Sequence, residues 1–387
     1  MSELSHAAHA HALLNASSSH RWLACPPSVK LSEQFANSPS QYAEEGTYLH
    51  ELCELKLHRY LGDIPPAAVD ELYIQRKDSE FYTDEAESVT DEYVAFCIET
   101  IEAVRSGCPD PLILVEHRLD YSEYVPGGFG TGDLVIVADG VLEIIDFKGG
   151  RGVRVDADHN SQLMLYALGA LMEFDALYDI RSVRMTIVQP RLGGVSTYET
   201  TPGALIHWAE AEVRPRALLA YEGKGAFCAG EHCRFCRARH TCKARSEYHM
   251  RLTDQDFKAP DLLTDEEVAD ILPIAESLNN WVQDLLAYAT QQALEGKVWP
   301  GYKLVSGRSV RKYASEAEVI RAAAEAGFTV IYKTSLLDVG ELEKRMGRKA
   351  FQQVLGRFVV KPPGVPTLVP ESDSRKPYSD AATDFST

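Results

Sequence analysis

Cysteine is scarce in this 387-residue chain, at 8 residues, as are methionine at 6 and tryptophan at 4. So few thiols in a chain of this size exclude a disulfide-stapled scaffold. A basic excess is missing too: Lys and Arg number 39 against 57 acids, a formal net charge of -18. That balance argues against a protein that coats nucleic acid through bulk charge, since such affinity comes from neutralising phosphates. No apolar run approaches the roughly 18 to 20 residues of a membrane span. The opening MSELSHAAHAHALLNASSSHRW lacks the basic-then-apolar layout of a secretory signal. Internal repeats and long low-complexity tracts are absent as well. The expectation is a cytoplasmic protein with no membrane partner, in a compartment where thiols stay reduced and serve as metal ligands sooner than as disulfides.

What remains is ordinary for a globular chain: 45% hydrophobic and 25% charged residues, enough for one large core or two moderate ones. The charge is segregated. Acids crowd residues 70–102, whereas residues 228–251 carry six Lys/Arg against two Glu. A local basic surface is therefore compatible with an acidic whole.

The hydrophobic period changes along the chain. Residues 42–60 (YAEEGTYLHELCELKLHRY) read as a helix with Leu49, Leu52, Leu55 and Leu57 toward one side, and a second helix covers about 87–106. From 112, LILVEHRLDY, GTGDLVIVAD and VLEIIDFKGG are short β-branched runs separated by Gly and Asp-Gly turn signals, a pattern for consecutive strands in a meander. Residues 160–174 return to helix, RSVRMTIVQPR is a further strand, and 203–221 a further helix. Thr264 and Glu267 stand in capping-box register before a long helix with Pro273 inside it, ending at Gly296. A small α+β module follows, and then a Pro-, Ser- and Asp-rich tail expected to be extended or disordered. Single Cys53, Cys97 and Cys108 are expected as buried small apolar residues.

The chemistry concentrates on the meander. Asp133 in GTGDLVIV and Asp146 in IIDFKGG meet at one sheet edge if their strands are neighbours, and alternation puts Asp146 and Lys148 on one face. Two carboxylates are hard oxygen ligands for Mg²⁺ or Mn²⁺. With a lysine ammonium beside them the group suits phosphodiester hydrolysis, in which the metal activates water and the lysine orients it. Gln162 and Tyr166, four apart in NSQLMLYALGA, share a helical face. In EEGTYLHELCE, His50 offers a third metal ligand from a helix that also carries Glu54. Glu116, at the start of the first core strand, reads as structural, with a water-mediated contact to the metal as the alternative. Arg151, Arg154, Arg234, Arg237 and Arg239, and in the C-terminal module Lys303, Arg308, Arg311 and Lys312, are candidates for phosphate contact or plain solvated surface. The early histidines His6, His9, His11 and His20 lack regular spacing and are read as disordered or helix-surface residues.

The cysteines pose a counting problem. CRFCRARHTC sets Cys233, Cys236 and Cys242 at C-x2-C-x5-C, one thiol short of the four a structural metal site usually takes. Cys228 supplies a local fourth, sufficient for zinc; otherwise a fourth lies elsewhere in the chain or the pattern is accidental.

In their order and spacing, EGTYLH, GTGD, DFK and QLMLYA resemble the motifs of the PD-(D/E)XK nuclease superfamily, in its RecB/AddB-type and CRISPR-adaptation branch, over roughly residues 17–250. The whole chain also looks like a bacteriophage and prophage family of that superfamily. The resemblance implies an α/β restriction-endonuclease-like core, a mixed central sheet flanked by helices, with a helical N-terminal region and a cysteine clamp. It implies a metal site of His50, Asp133, Asp146 and the Phe147 carbonyl, with Lys148 activating water and Gln162 and Tyr166 positioning substrate. A [4Fe–4S] cluster would sit on Cys25, Cys233, Cys236 and Cys242, leaving Cys228 spare; a structural Zn²⁺ is the alternative. Asp146 stands where many relatives carry Glu.

The domain expectation is a nuclease domain over 1–250, an accessory module over 251–358 and a tail over 359–387. The activity implied is an exonuclease acting on single- or double-stranded DNA ends in phage recombination or DNA processing. The rival is a non-catalytic DNA-binding accessory protein whose clamp is only structural. The acidic end SDAATDF suggests a single-strand-binding or annealing protein as partner. A ring-shaped homo-oligomer would reconcile an acidic whole with a basic channel.

Overall fold

The computed structural model describes residues 12–35, 41–250 and 265–302. The three expected strands form as β1 (Leu112–Asp120), β2 (Phe129–Ala138) and β3 (Gly140–Phe147), each antiparallel to the next. The β2–β3 connection is tight, and Gly140 takes a φ of 94° that a residue with a Cβ resists. The chain then leaves the sheet, runs through a long loop and a helix, and returns as β4 (Ile180–Gln189), parallel to β3. A fifth strand, β5 (Gly194–Thr200), closes the order β1-β2-β3-β4-β5. The result is a five-stranded mixed sheet.

Ten α-helices among the described residues surround it. Along the chain they are α1 (Ser19–Ala24), α2 (Ser28–Glu33), α3 (Gln41–Leu61), α4 (Pro66–Lys77), α5 (Asp84–Gly107) and α6 (Ser161–Phe174). They continue as α7 (Pro202–Trp208), α8 (Arg214–Glu222), α9 (Lys243–Met250) and α10 (Asp265–Leu294). α5 starts on Thr83, whose hydroxyl accepts from the Ala86 N–H, and carries Asp84, Glu85 and Glu87 in its first turn, where they favour the helix dipole. α6 starts on Asn160, whose Oδ1 accepts from the N–H groups of Gln162 and Leu163.

Strand alternation divides the core. Val135, Val137, Leu142, Ile144, Val183, Met185 and Ile187 pack with α6, α7 and α8 on one face. Leu134, Ile136, Ile145, Phe147 and Val188 pack with α3 and α5 on the other. α6 is buried nearly all round, which its run of Leu, Met and Ala requires. Leu49, Leu52, Leu55 and Leu57 are all buried, as expected of α3. Lys56 is half-buried in α3, and its ammonium is satisfied by Glu87, Asp91 and the Thr90 hydroxyl of α5. α9 is tied to α10 by Arg245 and Arg239, which both donate to Asp284.

Several elements differ from expectation. The single helix expected over 203–221 is α7, one π turn (Ala209–Val213) and α8. Pro215 has no N–H to donate to the preceding turn, which accounts for the irregularity. α4 and β5 were not foreseen. Cys53 and Cys97 are buried, but Cys108 is half-buried at the end of α5. Pro273 lies within the continuous α10. Thr264, His6, His9, His11, the basic residues Lys303, Arg308, Arg311 and Lys312, and the tail lie outside the described residues. The chain divides into two compact units, one up to Tyr288 and one from Ala289. No helix among the described residues is long and apolar enough to cross a membrane.

Candidate metal centre

Because Val135 and Ile144 face α6, period-two alternation sends Asp133, Asp146 and Lys148 to the same side. There the side chains form a connected set. Lys148 Nζ lies 2.8 Å from Asp146 Oδ2 and donates to Gln162 Oε1 at 3.0 Å. Gln162 Nε2 donates to Asp146 Oδ1 at 3.0 Å and to the Tyr166 hydroxyl oxygen at 3.2 Å. The i, i+4 spacing on α6 thus serves to lock the Gln162 amide between the strand acid, the strand lysine and Tyr166.

His50 arrives from the opposite face. α3 packs against the other side of the sheet, and the His50 ring meets Phe147 edge-on, with centroids 5.3 Å apart. Its Nδ1 lies 3.2 Å from Asp133 Oδ1. The second Asp133 oxygen accepts from the Phe147 N–H at 2.7 Å. Phe147 itself is buried between His50 and Tyr93.

Glu116, read from the sequence as structural, stands with them. Ligand atoms of His50, Glu116 and Asp133 all lie within 4.8 Å of one another. The β1–β2 pairing runs Val115 with Leu134 and His117 with Gly132, and breaks at Glu116, whose φ is 49°. A non-glycine residue in the left-handed region costs roughly 1–2 kcal/mol. The strain buys a side chain pointed at Asp133's neighbourhood rather than one in the regular ladder.

Charge states follow from the surroundings. Burial pushes the Asp133 carboxyl up, but the charge and hydrogen bond of His50 and the Phe147 N–H outweigh it and hold it below the usual range. Asp146 goes the other way: burial raises it, Lys148 opposes incompletely, and the Asp133 charge raises it further. Burial lowers His50, yet Asp133, then Glu116 and Asp146, bring it to about 9. Burial also disfavours a charged Lys148, but Asp146 more than compensates, so the lysine is an ammonium donor and not a base. One imidazole nitrogen and carboxylate oxygens from three strands make a donor set suited to Mg²⁺ or, with its imidazole, Mn²⁺. A divalent cation would offset the mutual repulsion of these acids.

The site opens into a cavity of about 160 Å³, lined by His50, Asp133, Asp146, Lys148, Gln162 and Tyr166 and walled by residues 15–17 and 129–131. At about 30 Å³ per water, that is room for about five waters. It accommodates a hydrated ion or a phosphate group. Gly130 keeps the wall thin, since a Cβ there would lie 2.6 Å from Tyr166 Cε1. Gly130→Ala is expected to displace the buried Tyr166 ring and lower stability by about 1–3 kcal/mol in a thermal or denaturant melt.

Cys25, Cys233 and Cys236 lie toward the far end of α1. Cys25 caps that helix, and Cys233 and Cys236 are buried beside it, with Cys242 half-buried. Sulfur-directed donors surround them: Cys228 N–H to Cys25 Sγ at 3.5 Å, Gly230 N–H to Cys233 Sγ at 3.5 Å, and the Ser32 hydroxyl 3.6 Å from Cys236 Sγ. Cys228 is exposed and turns its thiol to the Ala229 carbonyl, so its backbone and not its sulfur meets Cys25. Among the described residues, no three of the thiols lie within 4.8 Å of one another. A tetrahedral zinc with Zn–S of about 2.3 Å needs sulfurs about 3.8 Å apart. The thiols are therefore set wider than a tetrahedral zinc asks.

Residues 11–376 match the model of a family described as "Protein of unknown function (DUF2800)". The chain belongs to the DUF2800 family. A solved structure described as "Crystal structure of SSO0001" is similar to this DUF2800 protein at 14% identity, over 62% of the chain and 91% of the other, with a TM-score of 0.25. At that score the likeness is too slight to carry fold or function.

In this DUF2800 protein the predicted site residues His50, Asp133, Asp146, Lys148, Gln162 and Tyr166 come together at one cavity. Phe147 contributes its N–H to Asp133 and its ring to His50. Most of the candidate phosphate-binding arginines are already engaged. Arg151 pairs with Glu85, Arg237 donates to the Phe35 carbonyl, Arg239 donates to Asp284, and Arg234 lies over the neighbouring Phe235 ring. His20 is an exposed residue of α1, edge-on to Phe235. Sequence reasoning put the structural reading of Glu116 ahead of a water-mediated metal contact, because its left-handed backbone leaves no trace in residue type.

Proposed function

We propose that this DUF2800 protein is a metal-dependent DNA nuclease of the PD-(D/E)XK class, hydrolysing phosphodiester bonds at DNA ends in phage recombination or DNA processing. The observation that supports this reading best is the linked set Asp133, Asp146, Lys148, Gln162 and Tyr166 at one cavity, with His50 and Glu116 beside Asp133. His50, Asp133, Glu116 and Asp146, with the Phe147 carbonyl, are the groups that would hold Mg²⁺ or Mn²⁺. When bound, such a cation polarises the phosphoryl oxygen and lowers the pKa of water.

The chain's own residues supply the rest. Lys148, held as ammonium by Asp146, donates to the attacking water and to charge developing on the phosphoryl group. Gln162 fixes Lys148 and Asp146 relative to each other, so neither must reorganise during reaction. The buried Tyr166 hydroxyl accepts from Gln162 and keeps its own proton for substrate. Cys25, Cys233, Cys236 and Cys242 would hold a [4Fe–4S] cluster that ties α1 to the segment before α9.

Incubation of end-labelled linear single- and double-stranded DNA with the full chain and Mg²⁺ or Mn²⁺ is expected to give cleavage that EDTA stops. The net charge of -18 favours a second reading, a DNA-binding recombination-accessory protein that does not cut. Binding of DNA ends without cleavage under either metal would establish that one instead.

A further inference from the structure

The nuclease reading leaves part of the cavity wall unused. Among the polar side chains that line it, His50, Asp133, Asp146, Lys148, Gln162 and Asn15 are engaged with other groups of the chain. Ser17 and Thr131 line it too, and their hydroxyls make no hydrogen bond to any described residue. Ser17 is exposed and Thr131 half-buried, and Tyr166 beside them still has its hydroxyl proton to give.

The turn that presents Ser17 is built rigidly. Asn15 Oδ1 accepts from the Ser18 N–H at 2.9 Å, and the indole of fully buried Trp22 donates to the Asn15 carbonyl at 3.1 Å. Ser19 Oγ lies 2.6 Å from Ser161 Oγ at the start of α6, the helix that carries Gln162 and Tyr166. Thr131 is held on β2, paired with Arg118 of β1 and two residues before Asp133. The backbone that carries both hydroxyls is thus held relative to the acids, as a positioned site requires.

We propose that Ser17 and Thr131 form a phosphate-oxygen subsite that positions the phosphodiester of the substrate strand against Asp133, Asp146 and Lys148. The inference rests on the nuclease reading and deepens it. An anionic phosphate entering this cavity meets two carboxylates and a single ammonium already committed to Asp146. Neutral O–H donors can hold a non-bridging oxygen without pairing with the acids that must stay free for the cation. The volume of about 160 Å³ has room for a phosphate group. A contact to a phosphate oxygen is a contact to the nucleic-acid backbone and carries no sequence information.

The test is fluorescence anisotropy of a short labelled single-stranded oligonucleotide with the full chain in Ca²⁺, beside Mn²⁺ affinity and a thermal melt. Ser17→Ala and Thr131→Val should each weaken DNA binding about tenfold, the loss expected for one hydrogen bond to a charged group. The double variant should lose about a hundredfold, with Mn²⁺ affinity and melting unchanged, and Thr131→Ser should restore wild-type binding. Wild-type DNA affinity in the double variant would overturn the subsite. So would a loss matched by lost metal affinity or a lowered melt in both Thr131→Val and Thr131→Ser. Cleavage by the wild type with unaltered binding in the variants sinks the subsite alone. DNA binding that depends on both hydroxyls, in a protein that never cleaves, keeps the subsite and sinks the nuclease reading.

Discussion

Asp133→Asn should weaken Mn²⁺ binding by at least about a hundredfold and take DNA cleavage below detection. Substitutions that disturb only the outer partners of a metal ligand cost about 10–100-fold, and Asp133 is expected to be a direct ligand. Both its oxygens are in use, one beside His50 Nδ1 at 3.2 Å and the other accepting from the Phe147 N–H at 2.7 Å. An amide has a single acceptor, so its NH₂ must face either His50 or another N–H. It also removes the negative charge that pairs with His50. Titration of Mn²⁺ by electron paramagnetic resonance measures the effect directly. Wild-type affinity in Asp133→Asn would remove Asp133 from the ligand set.

Cys25→Ser is the second large effect, and it falls on stability. A metal–thiol group joining residue 25 to residues 233–242 closes a loop of more than 200 residues, and the chain-entropy treatment of such a cross-link puts its contribution at about 5 kcal/mol. Ligand binding of this kind is folding free energy, so its loss should loosen the domain as well as slow the chemistry. Anaerobically purified wild type should show visible absorption and one cooperative melt, and Cys25→Ser should lose the absorption and melt far lower. Cys228→Ser should keep both, because the Cys228 thiol turns to the Ala229 carbonyl and only its N–H reaches Cys25. One zinc per chain, no visible absorption and indifference to Cys25→Ser would replace the cluster with a local zinc site.

The strand core was readable because its signals are local and redundant. Alternating Val, Ile and Leu from 112 to 147, broken by Asp139-Gly140, allow one register for burial on both faces, and β1, β2 and β3 take it. Asp133, Asp146 and Lys148 then follow from parity alone. β5 was not foreseen because its alternation is of exposed and half-buried polar residues, GVSTYET, with little apolar signal at a sheet edge. α4 lies in an acidic stretch where charge hid a single buried Val69. Pro215 was visible in the sequence, but whether a proline ends a helix or only distorts it depends on what packs around it.

The site divides in the same way. His50, Gln162 and Tyr166 could be placed by helical spacing, because i, i+4 neighbours share a face wherever the helix goes. Glu116 could not, because its position depends on a φ of 49° that breaks the β1–β2 ladder. Ser17 escaped notice for another reason. A serine in ASSSHRW has no chemical signature of its own, and only the tertiary fold brings residues 15–17 to the wall of a cavity lined by Asp133 and Lys148.

The central claim is that Asp133, Asp146 and Lys148 do phosphodiester chemistry with a divalent cation, and one gel tests it. End-labelled linear DNA is incubated with Mg²⁺ or Mn²⁺ and anaerobically purified wild type beside Lys148→Ala. The substitution leaves His50, Glu116 and Asp133 in place and removes the ammonium paired with Asp146. The expected result is cleavage by the wild type and a rate lower by about 10²–10⁴ in the variant, with cluster absorption and DNA binding intact. Full metal-dependent cleavage by Lys148→Ala would contradict the account.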